Sequence, residues 1–103
     1  MNHRRVVVTG IGLVTSLGKD VATNWKNLVQ GESGAQTITN FDASKFKTQF
    51  ACEVKDFDPT VGMDRRDLRK VDIDTHFGVA AAVEAINDSG LDFEKVDCNK
   101  VGV

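Results

Sequence analysis

Apolar and polar positions change period several times along this chain, and each change marks an element. Residues 4–9 (Arg4-Arg5-Val6-Val7-Val8-Thr9) carry three adjacent valines with no alternation. That pattern predicts a first strand buried on both faces, as in an inner strand of a mostly parallel sheet. Gly10 and Gly12 then read as a tight turn after that strand. Over residues 20–30, Val21, Trp25, Leu28 and Val29 recur at i, i+4, i+7 and i+8, which predicts a helix with one apolar stripe. Asp20 is placed to cap it and Gly31 to end it.

Residues 31–47 form a long connection with one short helical turn. Asp42 is its candidate N-cap, and Phe41 and Phe46 stand at hydrophobic-staple spacing. Residues 48–55 alternate. Thr48, Phe50, Cys52 and Val54 face one way and Gln49, Ala51, Glu53 and Lys55 the other, as in a half-exposed or edge strand. Pro59, the single proline, marks a turn. Asp64 to Val71 predicts a short charged helix, with Asp64 as cap and Asp67 in a position akin to a capping box.

Asp72 to Ser89 predicts the main helix. Its stripe of Ile73, Phe77, Ala80 and Ala81 is widened by Val79, Val83 and Ile86, so it should be largely buried. Gly90 supplies a left-handed stop, and Leu91 is placed to pack back on Ile86 in a Schellman arrangement. Lys100-Val101-Gly102-Val103 reads as the start of another strand. These elements are too few to cover both faces of a parallel sheet. The expectation is an N-terminal piece of a larger domain, spanning residues 1–103, that buries its valines poorly when alone.

Composition narrows the classes. The 103 residues allow one domain at most, with a net charge of −2 and 41% apolar residues. This suits a globular chain and gives no sign of nucleic acid as a partner. The apolar runs are too short to span a bilayer, and three valines make no signal-peptide core, so a cytoplasmic location is expected. Cys52 and Cys98 lack metal-site spacing, and neither a zinc site nor a disulfide framework is expected. Cys52 reads as a small buried hydrophobe. Cys98 lies in a polar loop without a nearby base, and His3 and His76 have no recognisable partner beyond solvent or local bonds.

The glycines raise a dinucleotide-binding reading, but the fingerprint fails. Gly10 and Gly12 fit, whereas Thr15 stands at the third glycine position and Gly18 comes too late. No Gly-Lys-Ser/Thr follows them as in a P-loop. A small dinucleotide-binding domain stays a remote alternative.

A series of short motifs carries a stronger signal. It runs from Arg4-Arg5-Val6-Val7-Val8-Thr9-Gly10-Ile11-Gly12, with Val14-Thr15 and Leu17-Gly18, through Trp25 and Gly31-Glu32-Ser33-Gly34. It continues with Phe41-Asp42, Lys55-Asp56-Phe57-Asp58-Pro59, Asp64-Arg65-Arg66, Arg69-Lys70 and Asp72. It closes with Ala80-Ala81-Ala82, Ala85, Asp88-Ser89-Gly90-Leu91 and Val101-Gly102-Val103. In order and spacing this series resembles the opening of β-ketoacyl-acyl carrier protein synthases, above all the type II, long-chain kind. Ser16 stands where that family often has proline, and Asp74 where it usually has an uncharged residue.

The resemblance implies a thiolase-like, layered αβαβα fold of the α/β class, usually homodimeric. It implies an acyltransferase of fatty acid elongation that needs no cofactor. An acyl group passes from acyl carrier protein to a cysteine, malonyl-acyl carrier protein is decarboxylated, and the two carbon units are joined. Such a cysteine needs a lowered pKa, and the enolate needs preorganised donors. In the family this Cys-His-His set lies downstream of the stretch seen here, so no catalytic residue is assigned among Cys52, Cys98, His3 and His76. A polyketide ketosynthase, or a chain-length factor lacking the nucleophile, would share the same opening.

One binding patch is a candidate. Arg66, Arg69 and Lys70 stand at i, i+3 and i+4, on one side of a helix, with Arg65 near Arg69. The resemblance makes this the docking face for acidic acyl carrier protein. The competing reading is a solvated helix whose basic residues pair with Asp64, Asp67 and Asp72.

Overall fold

The computed structural model describes residues 3–103. Two helices dominate it. α1 spans Val21–Val29 and α2 spans Ile73–Ser89. Between them lies an antiparallel pair, β1 (Gln36–Thr37) and β2 (Phe50–Ala51), in the register Gln36↔Ala51 and Thr37↔Phe50. Short 3₁₀ helices occupy Pro59–Val61, Leu68–Lys70 and Cys98–Lys100.

The caps of α1 follow their residue chemistry. Asp20 accepts the Thr23 N–H at 2.7 Å, satisfying one donor that the first turn leaves open. At the other end Gly31 takes φ +73°, a left-handed value that costs glycine nothing. The Gly31 N–H then reaches Leu28 O at 3.1 Å and the Glu32 N–H reaches Asn27 O at 3.0 Å, which is a Schellman closure. α2 ends on Gly90 at φ +66°, but its closure differs from the expected one. The Leu91 N–H donates to Ser89 Oγ at 3.1 Å, and that hydroxyl donates to Ile86 O at 2.7 Å. The serine relays the bond that Leu91 would make directly.

Residues 10–13 cross α2 at backbone contact. A side chain at Gly12 would collide with Ala81 O and lie 2.9 Å from Ala85 N, and one at Gly10 would collide with Ala85 O. The glycines therefore serve a chain-on-helix crossing. The crossing is held by carboxylates of α2: Asp88 Oδ2 accepts the Ile11 N–H at 3.0 Å and Glu84 Oε2 the Leu13 N–H at 2.9 Å. A second anchor is Asn24, only 6% exposed. Its Nδ2 donates to Gly18 O and Asp20 O at 2.9 and 2.7 Å, and its Oδ1 accepts from the Thr15 hydroxyl. Asn24 thus binds the 15–20 turn to α1.

Several expectations are overturned, and they share one cause. Residues 4–9 join no strand ladder, although the exposure of Val6 and Val8, 92% and 80%, is the poor burial expected of these valines in this segment alone. A strand exists only when another strand takes its N–H and C=O groups, and no described segment does so. The 100–103 stretch likewise has no strand partner. The 48–55 strand shrinks to Phe50–Ala51, because β1 offers two residues to pair with. The connection at 42–46 is a turn, with Phe46 N bonded to Ala43 O at 2.9 Å, yet the Phe41 and Phe46 rings do meet edge to face at 5.8 Å.

The helix stripes are also uncovered. Trp25 is 65% exposed with Leu28 and Val29, and α2 buries only Ala80 instead of its whole stripe. The chain exposes 8796 Å², whereas a compact monomer of 11.2 kDa exposes roughly 5,700 Å². Its radius of gyration is 17.4 Å, against about 13 Å for a compact chain of this length. Ala43 and Ala80 are its only buried apolar residues among those described.

Candidate functional site

The basic segment is built on two successive turns. Asp64 O accepts the N–H groups of Asp67 and Leu68 at 2.9 and 3.3 Å, and Asp67 O accepts that of Lys70 at 3.0 Å. The expected α-helix over 64–71 is therefore a turn followed by the 3₁₀ helix Leu68–Lys70. Asp64 acts through its backbone carbonyl, and the Asp67 carboxylate makes no capping bond. Instead Asp67 Oδ1 pairs with Lys70 Nζ at 2.6 Å.

This geometry regroups the predicted cluster. Arg65, Arg66 and Arg69 line one shallow cavity of about 310 Å³. Lys70 lies outside that lining and pairs with Asp67. Among the described residues, none of the three arginines forms an ion pair. The Asp64, Asp67 and Asp72 pairing of the competing reading is seen only at Lys70–Asp67. The field of Arg65 also reaches Asp58, whose carboxyl is held below its usual range chiefly by bonds from Thr60 and secondarily by Arg65 and Lys19.

His76 is the residue that residue spacing did not single out here. It rises from the first turns of α2, and its Nε2 lies 3.1 Å from Leu68 O. No local pattern reveals this bond, because it spans eight positions and joins two elements.

The remaining chemistry-bearing residues do not assemble. Cys52 and Cys98 are both free and exposed, so the buried position expected for Cys52 is not found; it follows β2 at the edge of an open cavity that it shares with Phe57, Ile73 and Phe77. Among the described residues no group of His, Cys, Asp and Glu could hold a metal ion, and no helix is long and apolar enough to cross a membrane.

Two further cavities flank α1. One, of about 310 Å³, is polar and bordered by Thr15, Lys19, Asp20, Glu53, Lys55 and Asp56. Lys19 Nζ donates to the carbonyl of Asp56 at 2.8 Å, and Asp56 sits at φ 52°. The other, of about 320 Å³, is an apolar groove formed by Ile11, Leu13, Leu17, Val21, Trp25 and Leu28.

A family model described as "Beta-ketoacyl synthase, N-terminal domain" matches residues 3–103. The chain belongs to the β-ketoacyl synthase family. It is 46% identical, over its whole length, to 3-oxoacyl-acyl-carrier-protein synthase 2 of Vibrio harveyi and to that of Coxiella burnetii. It is 40% identical to that of Synechocystis sp.. The chain spans 25% of the length of these curated relatives. Among solved structures, the ishigamide ketosynthase/chain length factor superposes with a TM-score of 0.79 at 39% identity, covering 90% of this chain and 23% of that one. This β-ketoacyl synthase segment therefore has the thiolase-like α/β fold that the motif series implied, and family membership replaces the dinucleotide alternative.

Proposed function

We propose that this chain is the carrier-docking and scaffolding part of a 3-oxoacyl-acyl carrier protein synthase. The parent protein condenses an acyl thioester with malonyl-acyl carrier protein in fatty acid elongation. The observation that carries the docking role is the cavity shared by Arg65, Arg66 and Arg69, three guanidinium groups without carboxylate partners. An acidic carrier with a phosphorylated arm is the complementary surface. Unpaired guanidinium groups attract it at long range and then bind carboxylate or phosphate in a fork. The identity to 3-oxoacyl-acyl-carrier-protein synthase 2 proteins supports the same partner.

The uncovered apolar stripes support a scaffolding role. α2, α1 and the valine segment need more protein around them, supplied by further layers of an αβαβα domain and by a second subunit of a homodimer. The reaction's cysteine and histidines are assigned to those further layers. No catalytic residue and no cofactor is assigned here, and a cytoplasmic location fits the pathway.

The test is Arg66→Glu with Arg69→Glu in the full-length enzyme. KM for carrier-linked substrate should rise and its dependence on salt should flatten. An unchanged KM with an unchanged salt response would refute docking. The ishigamide neighbour favours a second reading, a polyketide ketosynthase or chain-length factor. Product analysis separates these from a fatty acid enzyme, and a chain-length factor forms no acyl-enzyme at all.

A further inference from the structure

We propose that His76 is the positioning residue of the arginine turn, a role that rests on the docking reading above. A carbonyl oxygen carries no hydrogen, so the 3.1 Å approach of His76 Nε2 to Leu68 O makes Nε2 the donor. The other ring nitrogen is Nδ1. That atom is buried and has no hydrogen-bond partner among the described residues. An apolar ring would fill the same half-buried space without an orphaned nitrogen. The histidine therefore earns its place through the bond that Nε2 makes.

That bond lies where it controls the arginines. The Leu68 carbonyl shares a rigid peptide plane with the nitrogen and Cα of Arg69. His76 fixes this plane from one side. The Leu68 N–H, bonded to Asp64 O at 3.3 Å, fixes the preceding plane from the other. The segment is otherwise a turn and a single 3₁₀ helix, with few bonds of its own to hold the direction of its side chains. By anchoring it to α2, His76 keeps Arg66 and Arg69 facing the shared cavity before any carrier arrives. Preorganisation of this kind improves binding without new contacts.

The experiment compares His76→Leu and His76→Gln in the full-length enzyme. Leucine keeps bulk and removes the donor, while the glutamine amide reaches with an N–H much as Nε2 does. Two substrates are used, the acyl-carrier protein and a carrier-free acyl thioester. His76→Leu should raise KM for the carrier-linked substrate roughly three- to tenfold, with kcat unchanged. KM for the carrier-free thioester should not move, and His76→Gln should restore the carrier-linked value. An equal rise for both substrates, or no rise while the double arginine variant does raise KM, overturns the proposal and leaves docking intact. If the arginine variant itself has no effect, the docking reading fails. Amide exchange at residues 66–70 then decides the positioning claim: faster exchange in His76→Leu, reversed in His76→Gln, upholds it, and unchanged exchange overturns it.

Discussion

Glu84 receives the backbone N–H of Val21 at 2.8 Å, so a carboxylate on α2 satisfies the first turn of α1 from outside that helix. The same carboxylate takes the Leu13 N–H on its other oxygen. One side chain thus joins the glycine-bearing crossing, α1 and α2. A negative group at a helix N-terminus is favoured by the dipole as well as by the hydrogen bond.

Glu84→Ala should lower stability by about 2 kcal/mol, since two backbone donors lose a charged acceptor. Glu84→Gln should lose less, because its amide oxygen can still serve one of them. Urea unfolding of the full-length protein measures both, and an alanine variant as stable as the parent would show that water replaces the carboxylate.

Gly12→Ala should be destabilising by about 1–3 kcal/mol, because the new methyl group meets the Ala81 carbonyl and α2 must move away. Gly78 lies inside α2 with open space where a Cβ would stand. Gly78→Ala in the 103-residue chain should therefore raise helicity, by about 0.5–1 kcal/mol of helix propensity. Circular dichroism of the two variants should shift in opposite directions.

Asp20 holds its carboxyl below the ordinary value of 3.8, first through the Thr23 N–H and then through the Thr23 hydroxyl. A folded pKa below the unfolded one means stability that is complete above the unfolded value and lost as pH falls through the folded one. The contribution should be intact at pH 5 and above and fade below about pH 4. Asp20→Ala should cost about 1 kcal/mol at pH 7 and progressively less in acid. A penalty that stays constant down to pH 2 would show that the cap does not depend on charge.

Lys70→Ala should change KM for carrier-linked substrate less than Arg69→Ala does, although sequence spacing ranks the two together. The Asp67 contact already occupies the Lys70 ammonium, and both ends of that pair are largely exposed. An exposed pair of this kind is weak, so it lowers the attraction Lys70 offers without abolishing it, and the difference between the two variants should be modest. Equal effects of the two variants would restore Lys70 to the docking face.

Local chemistry was legible wherever it was local. Asp20, Gly31 and Gly90 sit where their side chains or φ values predict, because a cap needs only the residues beside it. The strand at 48–55 was legible in place but not in length, and the one at 4–9 does not form, because Val6-Val7-Val8 states a need for partners without supplying them. The same holds for Cys52, whose burial depends on a layer packed over it. Arg66 and Arg69 were readable as a pair, and the Asp67–Lys70 contact lies at i,i+3 and was among the pairings the sequence offered; what spacing did not decide was that Asp67 would take Lys70 while the arginines stay unpaired among the described residues. His76 and Glu84 act across 8 and 63 positions respectively, and no periodicity carries that information.

Trp25 is the single tryptophan of the chain and stands at the rim of the apolar groove beside Leu28. Its indole is therefore a built-in optical reporter for that one surface. Emission should be red, and quenched by iodide, while the groove is wet. It should move to shorter wavelength under any condition that dries the groove, so covering of this surface can be followed in real time without a label.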